Sequence, residues 1–179
     1  LTLLRELRQV KIWARRPEAA KALRTALQTE FPAIRFTTAD SPSAAMHQAR
    51  LVITATAAAK PLFQAQDVQP GQTVISIGAD DETKCELPPA LLARAGKLFT
   101  DSIEQARKYG NAARALASGV SETELRLQEL GAAWAYSNQL RDSSRQIIVC
   151  SLTGLGVQDL AAVSALFDWE ETCSGTRPA

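Results

Sequence analysis

Charged side chains that could transfer protons are concentrated in the stretch SIGADDETKCEL, residues 76–87. An apolar run ends there at a glycine and is followed at once by Asp80, Asp81, Lys84 and Glu86. A carboxylate at a strand end, beside an apolar ligand face, can act as general base for an amine or a water. Asp80, close to the glycine that ends the strand, Gly78, is the predicted base, whereas Asp81 and Glu82 are expected to face solvent. The alternative is a polar turn that caps the following helix.

Two arginines, Arg15 and Arg16, follow the apolar segment VKIWA. At this place in a dinucleotide-binding fold an acidic residue would hydrogen-bond the adenosine 2′-hydroxyl, whereas arginine can accept a 2′-phosphate. The pair therefore favours NADP(H), with two solvated arginines ahead of a helix as the alternative.

Thr54 and Thr56 end another apolar segment, where small hydroxyl residues let a cofactor approach the backbone. Threonine is also an ordinary strand residue, so both interpretations stay open.

The stretch SLTGLGVQDLAAV, residues 151–163, places Gly154 and Gly156 between an apolar run and a helical segment. A phosphate-binding turn of the form G-x-G-x-x-G/A needs a small residue at its sixth position, where this sequence has Asp159. A carboxylate there would repel a pyrophosphate at the helix start. The turn also comes last in the series of strands, whereas a phosphate loop follows the first strand. These residues are therefore not predicted to bind phosphate.

Short apolar strands alternate with helical segments along the first two-thirds of the chain. Strands are predicted at 10–14, 33–38, 51–56, 73–77, 97–101 and 146–150. Pro17 is expected to open the first helix and Ser41 to cap the second. The alternation predicts an α/β fold, an open parallel sheet with helices on both faces. Because ligands of such a sheet bind at the carboxyl ends of its strands, the topology points to residues 14–16, 54–56, 78–81 and 101–102.

Composition argues against several classes of protein. The chain has 179 residues, of which 46% are hydrophobic and 22% charged, with a formal net charge of +1. No basic block stands out, so nucleic acid is not an expected partner, and no apolar run approaches the roughly 18 residues of a membrane span. Three widely spaced cysteines favour reduced thiols in a cytoplasmic protein. The single histidine, His47, makes a metal centre or a histidine-based triad hard to build, so no metal is expected.

Six segments in order resemble the ornithine cyclodeaminase/mu-crystallin family: VKIWARRPEAAKAL, LVITATAAAKPLF, VQPGQTVISIGAD, SIGADDETKCEL, DSIEQARKYGN and SLTGLGVQDLAAV. They lie at about the family's spacing from Val10 to about Ala165. The resemblance implies a Rossmann-type domain at residues 1–150 that binds NADP(H) or NAD(H). It also implies that a loop and helix at residues 151–179 pack toward an N-terminal dimerisation and substrate domain, within a homodimer.

The same resemblance implies an NAD(P)-dependent enzyme acting on a small α-amino or cyclic α-imino acid. Family members oxidise or reduce such acids, for example Δ1-pyrroline-2-carboxylate, or convert ornithine to proline and ammonia. By position, Asp80 matches the catalytic aspartate, where mu-crystallin-like members have a serine, and Lys84 is assigned to the substrate side. The positions that match cofactor contacts are Ala14, Arg15, Arg16, Ala55, Thr56, Ser76 and Thr153.

The resemblance covers roughly the C-terminal half of such an enzyme. In the family, a first strand and a loop resembling G-x-G-x-Q-A precede the segment with which this chain begins, so a sheet without its first strand is expected. Two alternatives to a working enzyme therefore stay open. One is a non-catalytic, mu-crystallin-like protein that binds NADP(H) or another ligand, and the other is a truncated remnant that binds nothing. Asn111 stands where many relatives have an acidic residue and receives no predicted role.

Overall fold

The structure, a computed structural model, describes residues 6–136 and 140–174. Its strands are Gln9–Ile12 (β1), Arg35–Thr38 (β2), Leu51–Thr54 (β3), Thr73–Ser76 (β4), Lys97–Thr100 (β5), Leu127–Glu129 (β6) and Ile148–Ser151 (β7). Its helices are Pro17–Glu30 (α1), Pro42–Met46 (α2), Pro89–Arg94 (α3), Ile103–Ala106 (α4), Gly110–Ala117 (α5), Glu122–Leu125 (α6), Leu130–Tyr136 (α7) and Gly156–Ser174 (α8), with a 3₁₀ turn at Ala65–Asp67. All six predicted strands are present, each shorter than expected, and β6 is an additional strand that the sequence did not predict.

The strands pair in parallel and form two sheets. β1 pairs with β2, and the larger sheet has the order β3-β4-β7-β5-β6. The predicted α/β fold with a parallel Rossmann-type arrangement is therefore confirmed, although no ladder joins the two sheets among the residues described. Strand β7, last in the chain, lies between β4 and β5, so segments far apart in sequence meet at one edge.

The central strands β5 and β7 of the larger sheet are covered on both faces. Leu98 of β5 and Val149 of β7 belong to one apolar cluster, which includes Leu91 of α3. Their strand neighbours Phe99 and Cys150 belong to a second cluster. Successive side chains of a strand point to opposite faces, so a strand covered on both faces needs a continuous apolar run. This explains why the central strands are apolar nearly throughout.

Two helix starts have the local chemistry that the sequence predicted. Pro17 is the first residue of α1, where its fixed φ suits a helix and its missing N–H costs nothing. Ser41 caps α2, because its Oγ accepts a hydrogen bond from the Ala44 amide at 3.1 Å. Helices between parallel strands return the chain to the amino edge of the sheet, so the carboxyl ends of the strands gather at the opposite edge.

Helix α8 has an exposed apolar surface. The exposed fractions of its large apolar residues lie between 47% and 65%, at Val157, Leu160, Val163, Leu166 and Phe167. The predicted contact of residues 151–179 with another domain stays a prediction, and residues 175–179 lie outside the described residues. None of the helices in the described part of the chain is long and apolar enough to cross a membrane.

Candidate functional site

Three hydroxyl residues stand in register at the carboxyl edge of the larger sheet. Thr54 of β3 lies opposite Ser76 of β4, which lies opposite Ser151 of β7. We call these three the hydroxyl row. All are buried, with exposed fractions of 6%, 0% and 2%. Because a buried hydroxyl needs a hydrogen-bond partner, the row requires polar groups from the neighbouring loops, and Glu86 and Asn111 supply them.

The Glu86 side chain is fully buried and joins the ends of two strands. Its Oε1 accepts hydrogen bonds from the Thr56 amide at 2.6 Å and the Thr56 hydroxyl at 2.8 Å. Its Oε2 accepts from the hydroxyls of Thr54 at 2.8 Å and Ser76 at 2.7 Å. The Gly78 amide donates to the same oxygen at 3.0 Å. One carboxylate thus fixes the end of β3 against the end of β4.

Asn111, near the start of α5, completes this network. Its Oδ1 accepts from the amides of Glu86 and Leu87 at 2.8 and 2.9 Å. Its Nδ2 donates to the hydroxyls of Ser76 at 2.8 Å and Ser151 at 3.0 Å. Every donor and acceptor position of the amide is therefore in use, which makes Asn111 a satisfied link between the loop and two strands.

Sequence reasoning missed the roles of Glu86 and Asn111. The available signal was local: Glu86 stands between two apolar residues, Cys85 and Leu87, and the structure buries all three. A charged residue within an apolar run is seldom buried without partners. That pattern could have marked Glu86 as a buried, hydrogen-bonded carboxylate, although it does not identify the donors.

Two of the predicted cofactor contacts, Thr56 and Ser76, take part in the same network. The Ser76 hydroxyl donates to Glu86 and accepts from Asn111, while the Thr56 hydroxyl donates to Glu86. Thr56 is half-buried and Ser76 fully buried. Their contacts with a cofactor stay predictions, and the structure shows that both hydroxyls are engaged within the protein.

The predicted base, Asp80, lies in the loop after β4, and its side chain is 49% exposed. The Nζ of Lys84 lies 2.5 Å from an oxygen of Asp80 and 3.4 Å from an oxygen of Asp81. The hydrogen bond to Asp80 raises the pKa of Lys84, so the lysine is charged at neutral pH. The structure therefore brings the predicted base and the predicted substrate-side lysine together, with the carboxylate accessible from solvent.

Asp81 shapes the loop that carries this pair. Its Oδ1 accepts from the amide and the hydroxyl of Thr83, both at 2.7 Å, and from the Lys84 amide at 3.0 Å. The hydrogen bonds from Thr83 lower the pKa of Asp81 to about 2, from an ordinary value of 3.8. Asp81 is thus ionised throughout the neutral range and holds the turn between Asp80 and Lys84.

Replacing Asp81 with Asn is expected to make the melting temperature less dependent on pH at acidic pH. A carboxyl group whose pKa is lower in the folded than in the unfolded chain stabilises the fold above its unfolded pKa, and that contribution is lost as the pH falls. For Asp81 the loss falls between about pH 4 and pH 2. Melting temperatures measured across this range should drop less steeply for Asp81→Asn than for wild type. Glu82→Gln, at the exposed neighbour, is the control, and equal slopes for all three proteins would contradict the assignment.

Two glycines allow the loop to pack against its neighbours. A Cβ at Gly78 would lie 2.2 Å from the carbonyl oxygen of Thr56. Gly110 has a φ of +71°, and a Cβ there would lie 2.3 Å from the carbonyl oxygen of Ala79. Neither contact is compatible with a side chain. The loop that carries Asp80 is therefore held between the end of β3 on one side and the start of α5 on the other.

Asp101, which follows β5, holds the loop that contains the predicted contact Thr153. Its Oδ2 accepts from the amides of Thr153 and Gly154 at 2.9 and 2.6 Å, and its Oδ1 accepts from the Thr153 hydroxyl at 3.1 Å. Gln105 donates to the Thr153 hydroxyl at 3.0 Å and to the Gly154 carbonyl at 2.6 Å. The amides of Thr153 and Gly154 are therefore engaged within the protein, and the interpretation that this turn does not bind phosphate stays a prediction. The contact of Thr153 with a cofactor stays a prediction.

Arg15 and Arg16 lie in the turn between β1 and α1, and both are exposed, whereas Ala14 is half-buried. Within the described part of the chain, neither guanidinium forms a hydrogen bond or an ion pair. Arg16 is the N-cap residue of α1 and makes no side-chain cap. Two free guanidinium groups at the start of a long helix are suited to a phosphate group. The two guanidinium groups therefore fit a phosphate-bearing cofactor. Ala55, another predicted cofactor contact, follows β3 and is exposed.

The buried cysteines do not offer a nucleophile. Burial raises the pKa of the Cys85 thiol, and it raises that of Cys150 to about 11. Both thiols are therefore protonated at neutral pH, and the thiolate is the nucleophilic form. Exposed Asp80 is better placed for proton transfer.

Comparison with known proteins identifies similar chains. A family model described as ornithine cyclodeaminase/mu-crystallin family matches residues 1–172. An uncharacterised cyclodeaminase of Sinorhizobium fredii is 36% identical over 171 residues, which cover 96% of this chain and 51% of the relative. The iminosuccinate reductase of Paracoccus denitrificans is 31% identical over 121 residues, 68% of this chain and 37% of that protein.

Solved structures extend this likeness to the fold. The Paracoccus denitrificans iminosuccinate reductase in complex with NAD+ superposes with a TM-score of 0.84 at 26% identity, covering 97% of this chain and 52% of the other. Thermococcus litoralis Δ1-pyrroline-2-carboxylate reductase, in complex with NADH and L-proline, gives a TM-score of 0.85 at 21% identity, covering 99% and 55%. The chain thus spans about half the length of the first of these relatives and of both solved chains.

Proposed function

This chain belongs to the ornithine cyclodeaminase/mu-crystallin family, and we propose that it carries the cofactor-binding and proton-transfer groups of an NAD(P)-dependent oxidoreductase. The substrate is a small α-amino or cyclic α-imino acid, either ornithine, which yields proline and ammonia, or Δ1-pyrroline-2-carboxylate, which is reduced. One observation carries the proposal: the exposed Asp80 carboxylate stands at the carboxyl edge of a parallel sheet, in a loop fixed by a buried polar network. Ligands of parallel α/β sheets bind at that edge.

The proposed cofactor contacts follow β1, β3 and β7 or, in the case of Ser76, end β4. Arg15 and Arg16, with free guanidinium groups, would hold a phosphate of the dinucleotide, beside Ala14. The remaining predicted contacts are Ala55, Thr56, Ser76 and Thr153. When bound, a nicotinamide cofactor supplies or accepts the hydride exchanged with the substrate α-carbon. The similar reductases are solved with NAD+ or NADH, and the two arginines support NADP(H) as the preferred form here.

Asp80 moves the proton in this proposal. Its carboxylate accepts a proton from the substrate amine or from a water, which makes that group a nucleophile, and returns the proton in the reverse direction. Lys84, whose ammonium nitrogen lies 2.5 Å from an Asp80 oxygen, keeps the Asp80 carboxylate oriented. The ammonium of Lys84 is also the described cation closest to this carboxylate, which supports its predicted contact with the substrate carboxylate.

Turnover tests the proposal directly. The protein is assayed for oxidation of NADH and NADPH with Δ1-pyrroline-2-carboxylate, and for ammonia release from ornithine with NAD+ and NADP+. Turnover in either assay supports the enzyme. A fluorescence change of NADPH on binding, without turnover, would instead indicate the non-catalytic binding protein. No fluorescence change at any protein concentration would indicate a remnant that binds nothing.

Arg15→Asp is expected to weaken NADPH binding more than NADH binding. A carboxylate at this position repels the 2′-phosphate and accepts a hydrogen bond from a 2′-hydroxyl. Loss of one arginine–phosphate interaction corresponds to about 10- to 100-fold in Kd for NADPH. Fluorescence titration with both cofactors measures the ratio. Arg24→Asp, in the exposed part of α1, is the matched charge control, and an equal effect of Arg15→Asp on both cofactors would make Arg15 only a surface charge.

Membership of this family also supports a proposal for how the chain contacts another domain and how many subunits assemble. The exposed apolar surface of α8 supports a contact of residues 151–179 with a dimerisation and substrate domain, separate from the cofactor domain at 1–150. A homodimer is the proposed state. Analytical ultracentrifugation measures it, and a monomer at micromolar concentration would contradict it.

A further inference from the structure

Glu86 is a buried carboxylate that the proposed chemistry does not use. Its two oxygens receive five hydrogen bonds, and no atom of the side chain is exposed. The salt bridges of the described residues do not include it. Burying an ionisable group costs free energy unless several donors replace water. Apolar packing could close the same space at lower cost, so stability alone does not account for a carboxylate here.

The distribution of the five donors indicates what the carboxylate does. One backbone amide donates to each oxygen, that of Thr56 to Oε1 and that of Gly78 to Oε2. Thr56 follows β3 on the side predicted to contact cofactor, and Gly78 stands two residues before Asp80. A single rigid group of two oxygens therefore fixes the separation between the cofactor side and the base.

We infer that Glu86 is a positioning residue, whose carboxylate holds Asp80 in place relative to the cofactor-binding end of β3. The inference rests on the proposed function for its effect on catalysis, because misplacing reacting groups by about 1 Å can lower a rate about 100-fold. Its geometric part, the bridge between the Thr56 and Gly78 amides, is independent of which substrate is used.

Glu86→Gln tests the bridge with little change of shape. An amide has one oxygen and one NH₂ group. Whichever way it is turned, the NH₂ group faces either the Thr56 or the Gly78 amide, which are both donors. The hydroxyl groups of Thr54, Thr56 and Ser76 can rotate to accept from an NH₂ group, but a backbone N–H cannot. One of the two amides must therefore lose its hydrogen bond.

Hydrogen exchange and steady-state kinetics are measured together on wild type, Glu86→Gln and Leu91→Ala. Leu91 lies in the core on α3, fully buried, so Leu91→Ala lowers stability without touching the bridge. In Glu86→Gln, exchange of the Thr56 or Gly78 amide should rise about 10-fold relative to the Ile77 amide, which bonds to the Thr54 carbonyl. The kcat with Δ1-pyrroline-2-carboxylate should fall about 10- to 100-fold. Leu91→Ala should change neither the exchange ratio nor kcat, below its melting temperature.

Each outcome decides one claim. The positioning role is overturned if Glu86→Gln has the same kcat as wild type and the same exchange rates of the Thr56 and Gly78 amides relative to the Ile77 amide. It is also overturned if both quantities change as they do in Leu91→Ala. If wild type has no turnover, the proposed function fails, and the exchange ratio alone still decides the bridge. If Glu86→Gln does not fold, wild type decides: Thr56 and Gly78 amides that exchange as fast as the exposed Glu82 amide overturn the inference.

Discussion

Asp80→Asn is expected to lower kcat by about 10²- to 10⁴-fold, the range for loss of a general acid–base group. The substitution keeps the size of the side chain, and its oxygen can still accept the hydrogen bond from Lys84. What it removes is the group that takes and returns the proton. Because Asp80 is proposed to act on the substrate, the Kd for NADH and NADPH should stay within about threefold of wild type. NADH oxidation with Δ1-pyrroline-2-carboxylate and a fluorescence titration give the two numbers.

Asp81→Asn is the matched control for this experiment. It changes the neighbouring carboxylate, which hydrogen-bonds Thr83 within the loop, and should leave kcat within a few-fold of wild type because an amide oxygen can still hold the turn. A loss of cofactor affinity in Asp80→Asn without loss of kcat would assign Asp80 to the binding of the cofactor. Equal losses of kcat in both variants would mean that the shape of the loop matters, and not the proton transfer by Asp80.

Gly110→Ala is expected to destabilise the fold by about 2–5 kcal/mol. Two costs combine there. A φ of +71° disfavours any side chain by about 1–2 kcal/mol, and a Cβ would lie 2.3 Å from the Ala79 carbonyl, which adds about 1–3 kcal/mol of overpacking. Since Ala79 precedes Asp80, the loop should shift, and kcat should fall even in the fraction that remains folded.

Gly119→Ala separates these two costs. Gly119 also has a positive φ, +96°, but nothing lies within 4 Å of a Cβ placed there. The substitution should therefore cost only the conformational part, about 1–2 kcal/mol, and leave kcat unchanged. Urea unfolding of the three proteins gives the difference. Equal destabilisation by the two alanines would show that the packing of Gly110 against Ala79 does not matter to the fold.

The catalytic candidate could be predicted from the sequence because its signals are short. Asp80 stands in the loop that follows β4, two residues after Gly78, and the carboxyl end of a parallel strand is where ligands bind. Lys84 lies four residues away, and the hydrogen-bonded turn at Asp81 brings it back to Asp80. The family resemblance rests on segments of this same length, and the match over residues 1–172 confirms it.

The buried hydrogen bonds of Glu86 and Asn111, which hold the loop of Asp80, could not be predicted in the same way. Glu86 meets Thr54 across 32 positions, and Asn111 meets Ser151 across 40. The residues around Asn111 in the sequence do not indicate that its amide hydrogen-bonds Ser76 or Ser151. Strand β6 was missed for a related reason, since its three residues are too few to show a strand period.

By itself, therefore, the sequence determined the strands with continuous apolar runs, the helix starts at Pro17 and Ser41, and the position of Asp80. These depend on periodicity and on the chemistry of a few neighbouring residues, which are local properties. Only the tertiary structure decided that β7 enters between β4 and β5 and thereby aligns the hydroxyl row. It also decided that Glu86 is buried, because a carboxylate leaves water only where donors from distant segments converge on it, and that convergence exists only after the strands have paired.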